Sequence, residues 1–378
     1  FLHSDNDLVS LPVASLATAQ DAGSMNILIL PGDGIGPEIV AVAERALGAL
    51  NDRFDLGLVF ERAEIGLLSL EKSGSTLPDA VAEKARAADG VVLGPVSTHI
   101  YPSAAEGGIN VSAWCRTQLD LYANIRPSAV RAGVPAHVPA MDLVIVRENT
   151  EGFYADRNMA WGSGEFMPTE DVALAVGKAT RAGCHRIALA ACKLAMRRRR
   201  HLTLVHKANV LKKYSGLFLD TAREVASGFP DLVVDDVIVD AMAALLVREP
   251  QRFDVIVTTN MFGDILSDEA AELAGGLGLA SSLNVGDTHA VAQAAHGSAP
   301  DIAGQDIANP AAILHSTAML LEHLGARRSD NSLAAAAQCL VSATDMVLSD
   351  DALRTPDLGG TGGTRAFGDA LLAQIAKG

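Results

Sequence analysis

Acidic side chains at helical spacing are the first candidates for chemistry in this sequence. Asp264 and Asp268 are four residues apart where a helical pattern begins, so both project from one face of the predicted helix. Asp240 follows a strand-like run, and no cysteine or histidine accompanies the three acids at ligand spacing. Oxygen ligands of this kind suit a hard cation, so the aspartates indicate a Mg²⁺ or Mn²⁺ site. The pair at helical spacing could instead interact only with the helix dipole.

Arginines form a second set with a defined chemistry. Arg116 and Arg126 flank residues 119–124, and Arg147 stands at the end of a predicted strand. A guanidinium group matches a carboxylate through two parallel hydrogen bonds, so these side chains are candidates for binding an acidic substrate. Ordinary salt bridges within the protein would use the same residue type.

The elements that must position these residues alternate along the chain. Helical patterns, for example over residues 171–195 and 209–226, lie between short apolar runs that end in polar residues. This alternation predicts an α/β fold with its functional groups at strand ends. Lys207 and Tyr154 each follow such a run and are a candidate base and acid, although either could be a surface residue. The strand-like runs are residues 26–30, 90–94, 143–146, 202–205 and 255–257.

A glycine turn follows the first predicted strand. Gly32, Gly34 and Gly36 resemble the dinucleotide fingerprint, but the third glycine falls one position early and Pro37 takes its place. Proline at a helix start and glycine in a tight turn are typical of a strand-to-helix connection. The motif therefore does not support a Rossmann dinucleotide site.

Length and composition narrow the class of protein. A chain of 378 residues that is 49% hydrophobic predicts two domains, or one large α/β unit. The net charge of −15 disfavours a nucleic-acid partner, and the basic run at residues 197–200 is interpreted as a solvated helix end. No apolar stretch is long enough to predict a membrane span. The four cysteines lack metal or redox spacing, which indicates free thiols and a cytoplasmic location. Residues 1–24 are interpreted as a leader or tag remnant.

Taken together, these stretches resemble the isocitrate/isopropylmalate dehydrogenase family of β-decarboxylating dehydrogenases. The resemblance implies an α/β fold with two domains and a central mixed sheet, and not a Rossmann fold. Residues 25–121 and 275–378 would form a large cofactor-binding domain. Residues 122–274 would form a small domain for dimerisation, with the catalytic lysine and the metal carboxylates. The motifs that carry the resemblance are residues 30–38, 119–127, 146–154, 206–210, 259–269 and 296–304.

The resemblance also implies a role for each candidate residue. The three arginines, with Asn209, would bind the substrate, and Asp264 and Asp268 would bind the metal. A second subunit would contribute Asp240 as a metal ligand and Lys207 as the base, with Asp240 also assisting that base, so an obligate homodimer with shared active sites is expected. Tyr154 would be the acid. The reaction would be oxidation of a 2-hydroxy acid that carries a 3-carboxylate, followed by loss of CO₂.

The resemblance assigns the cofactor as well. Asp301 can accept hydrogen bonds from a ribose 2′-hydroxyl and would repel a 2′-phosphate, which favours NAD over NADP. Gln293 is a departure, because many relatives carry glutamate at this position, three residues before His296. The expected cofactor-binding residues are Ile35, His296, Gly297, Ser298, Ala299, Asp301, Ile302 and Asn309.

The segment before Arg116 should determine the substrate. Relatives that act on isopropylmalate carry two leucines at the positions of Ser112 and Ala113, and this chain lacks them. Isocitrate enzymes carry serine and asparagine where this chain has Asn110 and Ser112, the same two types exchanged. A polar pocket favours a third carboxylate, so isocitrate is the first expectation. The alternatives are 3-isopropylmalate, then tartrate, D-malate or homoisocitrate. A non-catalytic regulatory subunit would have lost the lysine, tyrosine or metal carboxylates, and all are present.

Overall fold

A computed structural model describes residues 24–154, 159 and 161–377 of the chain. The expectation of a leader or tag remnant therefore falls almost wholly outside the described residues. The strands are β1 Met25–Leu30, β2 Leu58–Arg62, β3 Gly90–Leu93, β4 Ala123–Ala129, β5 Asp142–Glu148, β6 Glu165–Thr169, β7 Val172–Ala175, β8 His201–His206, β9 Val233–Ile238, β10 Val255–Thr258, β11 Leu283–Val285 and β12 Ala290–Gln293. The helices are α1 Gly36–Phe54, α2 Gly66–Ser73, α3 Asp79–Ala87, α4 Val111–Gln118, α5 Arg181–Met196, α6 Tyr214–Ala226, α7 Val239–Arg248, α8 Asn260–Ala274, α9 Ala311–Arg328, α10 Asn331–Leu348 and α11 Thr364–Lys377.

Ten strands form one mixed sheet in the order β2-β1-β3-β12-β11-β4-β5-β10-β8-β9. The strands are parallel at both ends of the sheet, from β2 to β12 and from β5 to β9. At the centre, β11 and β4 run antiparallel to their neighbours. This arrangement confirms the predicted α/β class with a central mixed sheet, and it differs from the parallel sheet of a Rossmann fold.

Helices cover both faces of the sheet because the strands are apolar on both sides. In β1, Ile27 and Ile29 join a core with α1, α9, α10 and α11, while Leu28 and Leu30 join a core with α3 and α4. The same alternation divides β5 at the other end, where α5 and α6 cover one face and α7 and α8 the other. The result is three layers with two hydrophobic cores at each end.

The distribution of these cores supports the expected division into two domains. The cores around β5, β8 and β10 consist of residues 123–274. The cores around β1, β3 and β12 consist of residues before 122 and after 278, apart from Val134. One continuous sheet joins the two groups. We therefore propose a large domain of residues 25–121 and 275–378 and a small domain of residues 122–274.

Two predicted helices begin later than the sequence pattern indicates. Residues 172–175 pair with β6 as strand β7, and helix α5 begins only at Arg181. The Thr180 side chain accepts a hydrogen bond from the Gly183 amide and so fixes this helix start. Helix α6 begins at Tyr214 rather than at residue 209, after a turn that follows β8. The interpretation of residues 171–180 as helix was therefore wrong.

The first strand-to-helix turn is held against the loop after β12. Gly34 has a φ of +56°, and a Cβ there would meet the Ser298 carbonyl oxygen at 2.0 Å. The Ile35 amide donates to the same oxygen at 2.8 Å. Only glycine permits this close approach of the two segments, which are far apart in the sequence.

The cysteines, the arginine run and the absence of a predicted membrane span can each be compared with the structure. The four cysteines are free thiols, as expected. The arginine run after α5 is bound to acids rather than simply solvated, since Arg198 donates to Asp254 at 2.7 Å and to Asp142 at 2.8 Å. Across the residues with described positions, no helix is long and apolar enough to span a membrane.

Candidate active site

Two neighbouring strands and one helix bring the central site residues together. Arg126 lies in β4 and Arg147 in β5, and these strands are antiparallel partners. Helix α8 carries Asp264 and Asp268 past both strands. The helix approaches closely because residue 263 is glycine, and a Cβ there would meet the Arg147 Cγ at 2.6 Å. The structure thus assembles four residues that the sequence predicted from separate motifs.

Arg147 is the centre of this cluster. Its side chain is almost fully buried, with 1% of its surface exposed, and it forms an ion pair with Asp264. It also donates to the Tyr154 hydroxyl at 2.9 Å and to the Asn260 side-chain oxygen at 2.7 Å. The Tyr154 hydroxyl in turn donates to the second Asp264 oxygen at 3.0 Å. The predicted acid therefore contacts both a predicted substrate ligand and a predicted metal ligand.

Arg126 completes the cluster from the adjacent strand. It donates to Ser267 at 2.7 Å and to Asn124 at 2.7 Å, and its guanidinium lies 3.2 Å from both Asp264 and Asp268. Buried charges of one sign are stable only when they are paired and hydrogen-bonded. The two aspartates supply that pairing for the two arginines.

The cluster sets the protonation of its members. Burial favours the neutral form of Asp264, but Arg147 and Arg126 outweigh it and hold the Asp264 pKa below its ordinary value. Burial raises the pKa of Asp268 despite the nearby Arg126. Burial also raises the pKa of Tyr154, and the Asp264 carboxylate raises it further. Tyr154 therefore keeps its proton at neutral pH, as a proton donor must.

Lys207 and Asp240 form a separate, more exposed pair. Lys207 follows β8, as predicted, and Asp240 lies in the first turn of α7. The Lys207 Nζ lies 2.5 Å from an Asp240 oxygen, and the Asp240 side chain is 67% exposed. The hydrogen bond from Lys207 lowers the Asp240 pKa. Asn209 lies in the exposed turn after Lys207.

The carboxylates offer a partial metal site in one chain. Asp264 and Asp268 supply oxygen donors, which is the ligand type of Mg²⁺ and Mn²⁺. Within the described part of the chain, however, no three acidic, histidine or cysteine side chains gather as a metal-binding group. Asp240 belongs to the exposed pair with Lys207. The donor chemistry of Asp264 and Asp268 fits the predicted ion.

A cavity of about 170 Å³ lies beside the arginine cluster. Asn110 and Ser112 line it at the start of α4, together with Arg116 and Arg126. The Asn110 oxygen accepts from the Ala113 amide at 3.0 Å and caps the helix, so its NH₂ group is the part left to face a ligand. Among the described residues that line the cavity, none is acidic.

The predicted nucleotide residues lie in the loop after β12 and at the first turn. His296 lines the same cavity, and burial lowers its pKa, so the ring is neutral. Its Nδ1 lies 2.9 Å from the Gly297 carbonyl oxygen, while its buried Nε2 has no hydrogen-bond partner among the described residues. With its hydrogen on Nδ1, the ring can accept a hydrogen bond at Nε2 from a bound molecule or from water. Asp301 is exposed in the middle of this loop, where it can contact a bound molecule.

Other predicted cofactor residues shape that loop rather than offer free side chains. The Ser298 hydroxyl lies 2.7 Å from the Ser97 hydroxyl, and Ala299 has a positive φ of +36°. The Asn309 side chain donates to Asp357 at 3.0 Å and accepts from the Ala311 amide at 2.9 Å. Asn309 can therefore contribute to a ligand mainly through its backbone. Gly297 and Ile302 belong to the same loop.

Sequence reasoning missed several residues that hold the site in place. Asn260 accepts from Arg147 and donates to the Glu151 carbonyl oxygen at 2.8 Å, so it connects α8 to the segment that carries Tyr154. Asp33 is buried and accepts from the Leu67 and Ser97 amides at 2.7 and 2.9 Å. In the sequence, only the position of Asp33 inside the glycine turn could have marked it as a functional residue. Neither residue has a spacing that distinguishes it from an ordinary polar residue.

Comparison with known proteins agrees with this geometry. The isocitrate/isopropylmalate dehydrogenase family model matches residues 26–371. An isocitrate/homoisocitrate dehydrogenase of Thermus thermophilus is 45% identical over 350 residues, 92% of this chain and 98% of that one. A 3-isopropylmalate dehydrogenase of Methanothermobacter thermautotrophicus is 41% identical over 94% of this chain and 98% of its own length. The crystal structure of isocitrate dehydrogenase from Methylococcus capsulatus covers 93% of this chain and 100% of that one, with a TM-score of 0.82 and 40% identity.

Fold and site together define a decarboxylating dehydrogenase with an arginine–carboxylate centre. The chain belongs to the isocitrate/isopropylmalate dehydrogenase family. The resemblance noted in the sequence is confirmed over nearly the whole chain.

Proposed function

We propose that the protein catalyses the NAD-dependent oxidative decarboxylation of a 2-hydroxy acid with a 3-carboxylate, with isocitrate as the favoured substrate. One observation carries the proposal. A cavity lined by Arg116, Arg126, Asn110 and Ser112, with no acidic residue among its described lining, adjoins the cluster of Arg147, Tyr154 and Asp264. Such a cavity presents hydrogen-bond donors and positive charge, which match a polyanionic acid.

The substrate subsite separates isocitrate from its main alternative. Ser112 and Asn110 place polar groups where an isopropyl group would leave them unpaired, and burying unpaired polar groups costs free energy. This favours a third carboxylate over a branched alkyl group. The 3-isopropylmalate dehydrogenase among the relatives keeps that acid as the second candidate. Homoisocitrate, tartrate and D-malate follow.

The residues of the centre divide the chemistry between them. Arg116, Arg126 and Arg147 bind and orient the substrate carboxylates, and Asn209 contributes from a second subunit. Asp264 and Asp268 hold Mg²⁺ or Mn²⁺, with Asp240 of the second subunit as the third ligand. When bound, the ion withdraws electron density from the substrate oxygen. Lys207 of the second subunit, acting with Asp240, would accept the hydroxyl proton while the hydride from the same carbon passes to NAD. Tyr154, protonated at neutral pH, would return a proton to carbon after CO₂ is lost.

The nucleotide-binding residues favour NAD. The partnerless Nε2 of His296 and the turn at Ile35 support a ligand bound along the loop after β12. Asp301, exposed in the middle of this loop, suits a ribose diol and disfavours a 2′-phosphate. The remaining contacts come from Gly297, Ser298, Ala299, Ile302 and Asn309.

A homodimer would complete the active site. The two-stranded sheet of β6 and β7 is exposed along both strands, and an isolated pair of strands is only marginally stable. Its Phe166 and Leu174 are 44% and 47% exposed, and Ile265 of α8 is 60% exposed. These surfaces support pairing with a second copy, which would bring Lys207 and Asp240 to the partner's arginine cluster. The four free thiols support a cytoplasmic location. The described residues of the site do not favour nucleic acid or a membrane as a partner.

The proposal is tested by NADH formation with Mg²⁺ or Mn²⁺ on isocitrate, 3-isopropylmalate, homoisocitrate, D-malate and tartrate. We expect kcat/KM for isocitrate to exceed the others by about 100-fold, the discrimination that a good pocket provides. NADP in place of NAD should reduce the rate. A preference for 3-isopropylmalate would refute the proposed substrate but leave the reaction class intact. No turnover of any acid would refute the reaction itself.

A further inference from the structure

Gln293 is the last residue of β12, and its backbone is held firmly in the core. It is 8% exposed. Its backbone N–H donates to the Ser282 carbonyl oxygen at 3.1 Å, and its backbone carbonyl oxygen accepts from the Ser282 hydroxyl at 2.7 Å. The side chain therefore leaves the sheet from a fixed point and lines the substrate cavity.

The side chain of Gln293 contacts Ser112, one of the polar residues that line the cavity. Its Nε2 donates to the Ser112 hydroxyl oxygen at 2.8 Å. A serine hydroxyl has a single hydrogen, so accepting from the amide leaves that hydrogen for another acceptor. The neighbouring Asn110 oxygen is already engaged with the Ala113 amide. Both polar residues at the start of α4 therefore present donors to the cavity.

We propose that Gln293 is a specificity-determining residue that acts through Ser112. It fixes the Ser112 hydroxyl as a donor toward the third carboxylate of the substrate, and its neutral amide adds no negative charge beside that carboxylate. The inference rests on the proposed function, since it names the group that selects a tricarboxylate. It concerns substrate choice and not the chemical step, for which Arg147, Tyr154 and Asp264 form a separate cluster.

A glutamate at this position reverses both properties without changing the shape of the side chain. The carboxylate of a Gln293→Glu variant can only accept, so it would take the Ser112 hydrogen away from the cavity. It would also place a like charge beside the third carboxylate. We expect KM for isocitrate to rise roughly 10- to 100-fold, the effect of a lost charged contact. D-malate lacks the third carboxylate, so its kcat/KM should change less than about 3-fold.

Two further variants separate the hydrogen bond from the charge. Gln293→Met removes both hydrogen-bonding atoms and adds no charge, so it should raise the isocitrate KM by less than Gln293→Glu. Combined with Ser112→Ala, Gln293→Met should have little further effect if it acts through Ser112. Gln338→Glu is the matched control, because the exposed Gln338 also donates to a serine, Ser342, at 3.2 Å, but in helix α10.

The measurements are steady-state kinetics of the full-length holoenzyme with isocitrate and D-malate, and thermal unfolding of each variant. A higher isocitrate KM with nearly constant kcat and unchanged D-malate kinetics supports the inference. An equal loss on both acids, or additive effects of Gln293→Met and Ser112→Ala, overturns it while leaving the proposed function intact. Wild-type enzyme that turns over D-malate but not isocitrate overturns both.

Discussion

The two ends of the sheet differ in how completely a single chain buries them. At the β1 end, helix α9 has twelve buried residues and packs against α10, so that α9 is covered by this chain alone. In the other half of the chain, every residue of the separate β6–β7 sheet is exposed, and no residue of the edge strand β9 is fully buried. The hydrophobic core at the β1 end is therefore complete within one chain. The other half leaves apolar surface that a second molecule can cover.

The same difference separates the site residues. Arg126, Arg147 and their aspartates lie near the centre of the sheet and contact one another within one chain. Lys207 and Asp240 lie toward the β9 end and are more exposed. We infer that one chain preforms the binding of the acid, while proton removal depends on assembly. Three experiments test this comparison.

The largest effect is expected from paired inactive variants. Lys207→Ala and Asp264→Asn should each lower kcat by about 10²- to 10⁴-fold, because the proposed mechanism assigns both groups to the chemical step. Unfolded together and refolded as a mixture, they should recover about a quarter of wild-type activity. Half of the dimers are then mixed, and each mixed dimer has one intact site of two. The measurement is NADH formation at equal total protein.

The control combines two defects from the same cluster. A mixture of Tyr154→Phe and Asp264→Asn should recover no activity, because both residues belong to one chain's centre. Equal recovery in both mixtures, or none in either, would show that Lys207 does not serve the partner's site.

A smaller effect is expected from a charge on the exposed surface of α8. Ile265→Asp places a carboxylate on a side chain that is 60% exposed on α8. Burying it in a dimer costs several kcal/mol, so the variant should sediment as a monomer and lose most activity at micromolar concentration. Leu68→Asp on α2, at the β1 end, is the control, since Leu68 is 46% exposed. Sedimentation velocity distinguishes the two, and an intact Ile265→Asp dimer would argue against this interface.

The smallest effect concerns the free energy of unfolding and its dependence on a histidine at the β1 end. Burial lowers the pKa of His323 in α9 to about 4, below the value of about 6.5 in an unfolded chain. The unfolded state then binds more protons between these values, so stability is lost as the pH falls from 6.5 toward 4. Between pH 7 and 5 the loss is about 2 kcal/mol. His323→Asn should remove it in urea unfolding, whereas His185→Asn, at an exposed helical position, should retain it.

Much of the fold was predictable because strand ends and motifs are local features. The apolar runs that became β1, β3, β5, β8 and β10 were recognised, and so were the residues that follow them. The late starts of α5 and α6 were missed, because β7 and the Thr180 cap depend on pairing and capping that the apolar pattern does not show. The mixed order of the sheet came from resemblance, since periodicity does not specify strand order.

The site was predictable by residue type but not by contact. Arg126, Arg147, Asp264 and Tyr154 were all named from the sequence, yet their mutual neutralisation depends on how α8 crosses β4 and β5. The contact of Gln293 with Ser112 joins residues 181 positions apart, and no local pattern reports such a pair. Asn260 and Asp33 are polar residues whose function becomes evident only when their partners are seen.

The unbroken sheet also limits how the two ends can move. A protein whose halves are joined by a loop can swing as two rigid bodies, but hydrogen-bonded strands resist that motion. The narrowest part runs from β4 through β11 and β12 to β3, where each pair of strands spans three positions, while β4 and β5 pair over seven. Bending or a change of twist should therefore concentrate in this part. The substrate cavity lies on both sides of β11, with Gln293 from β12 and Arg126 from β4, so its width follows the twist of the sheet.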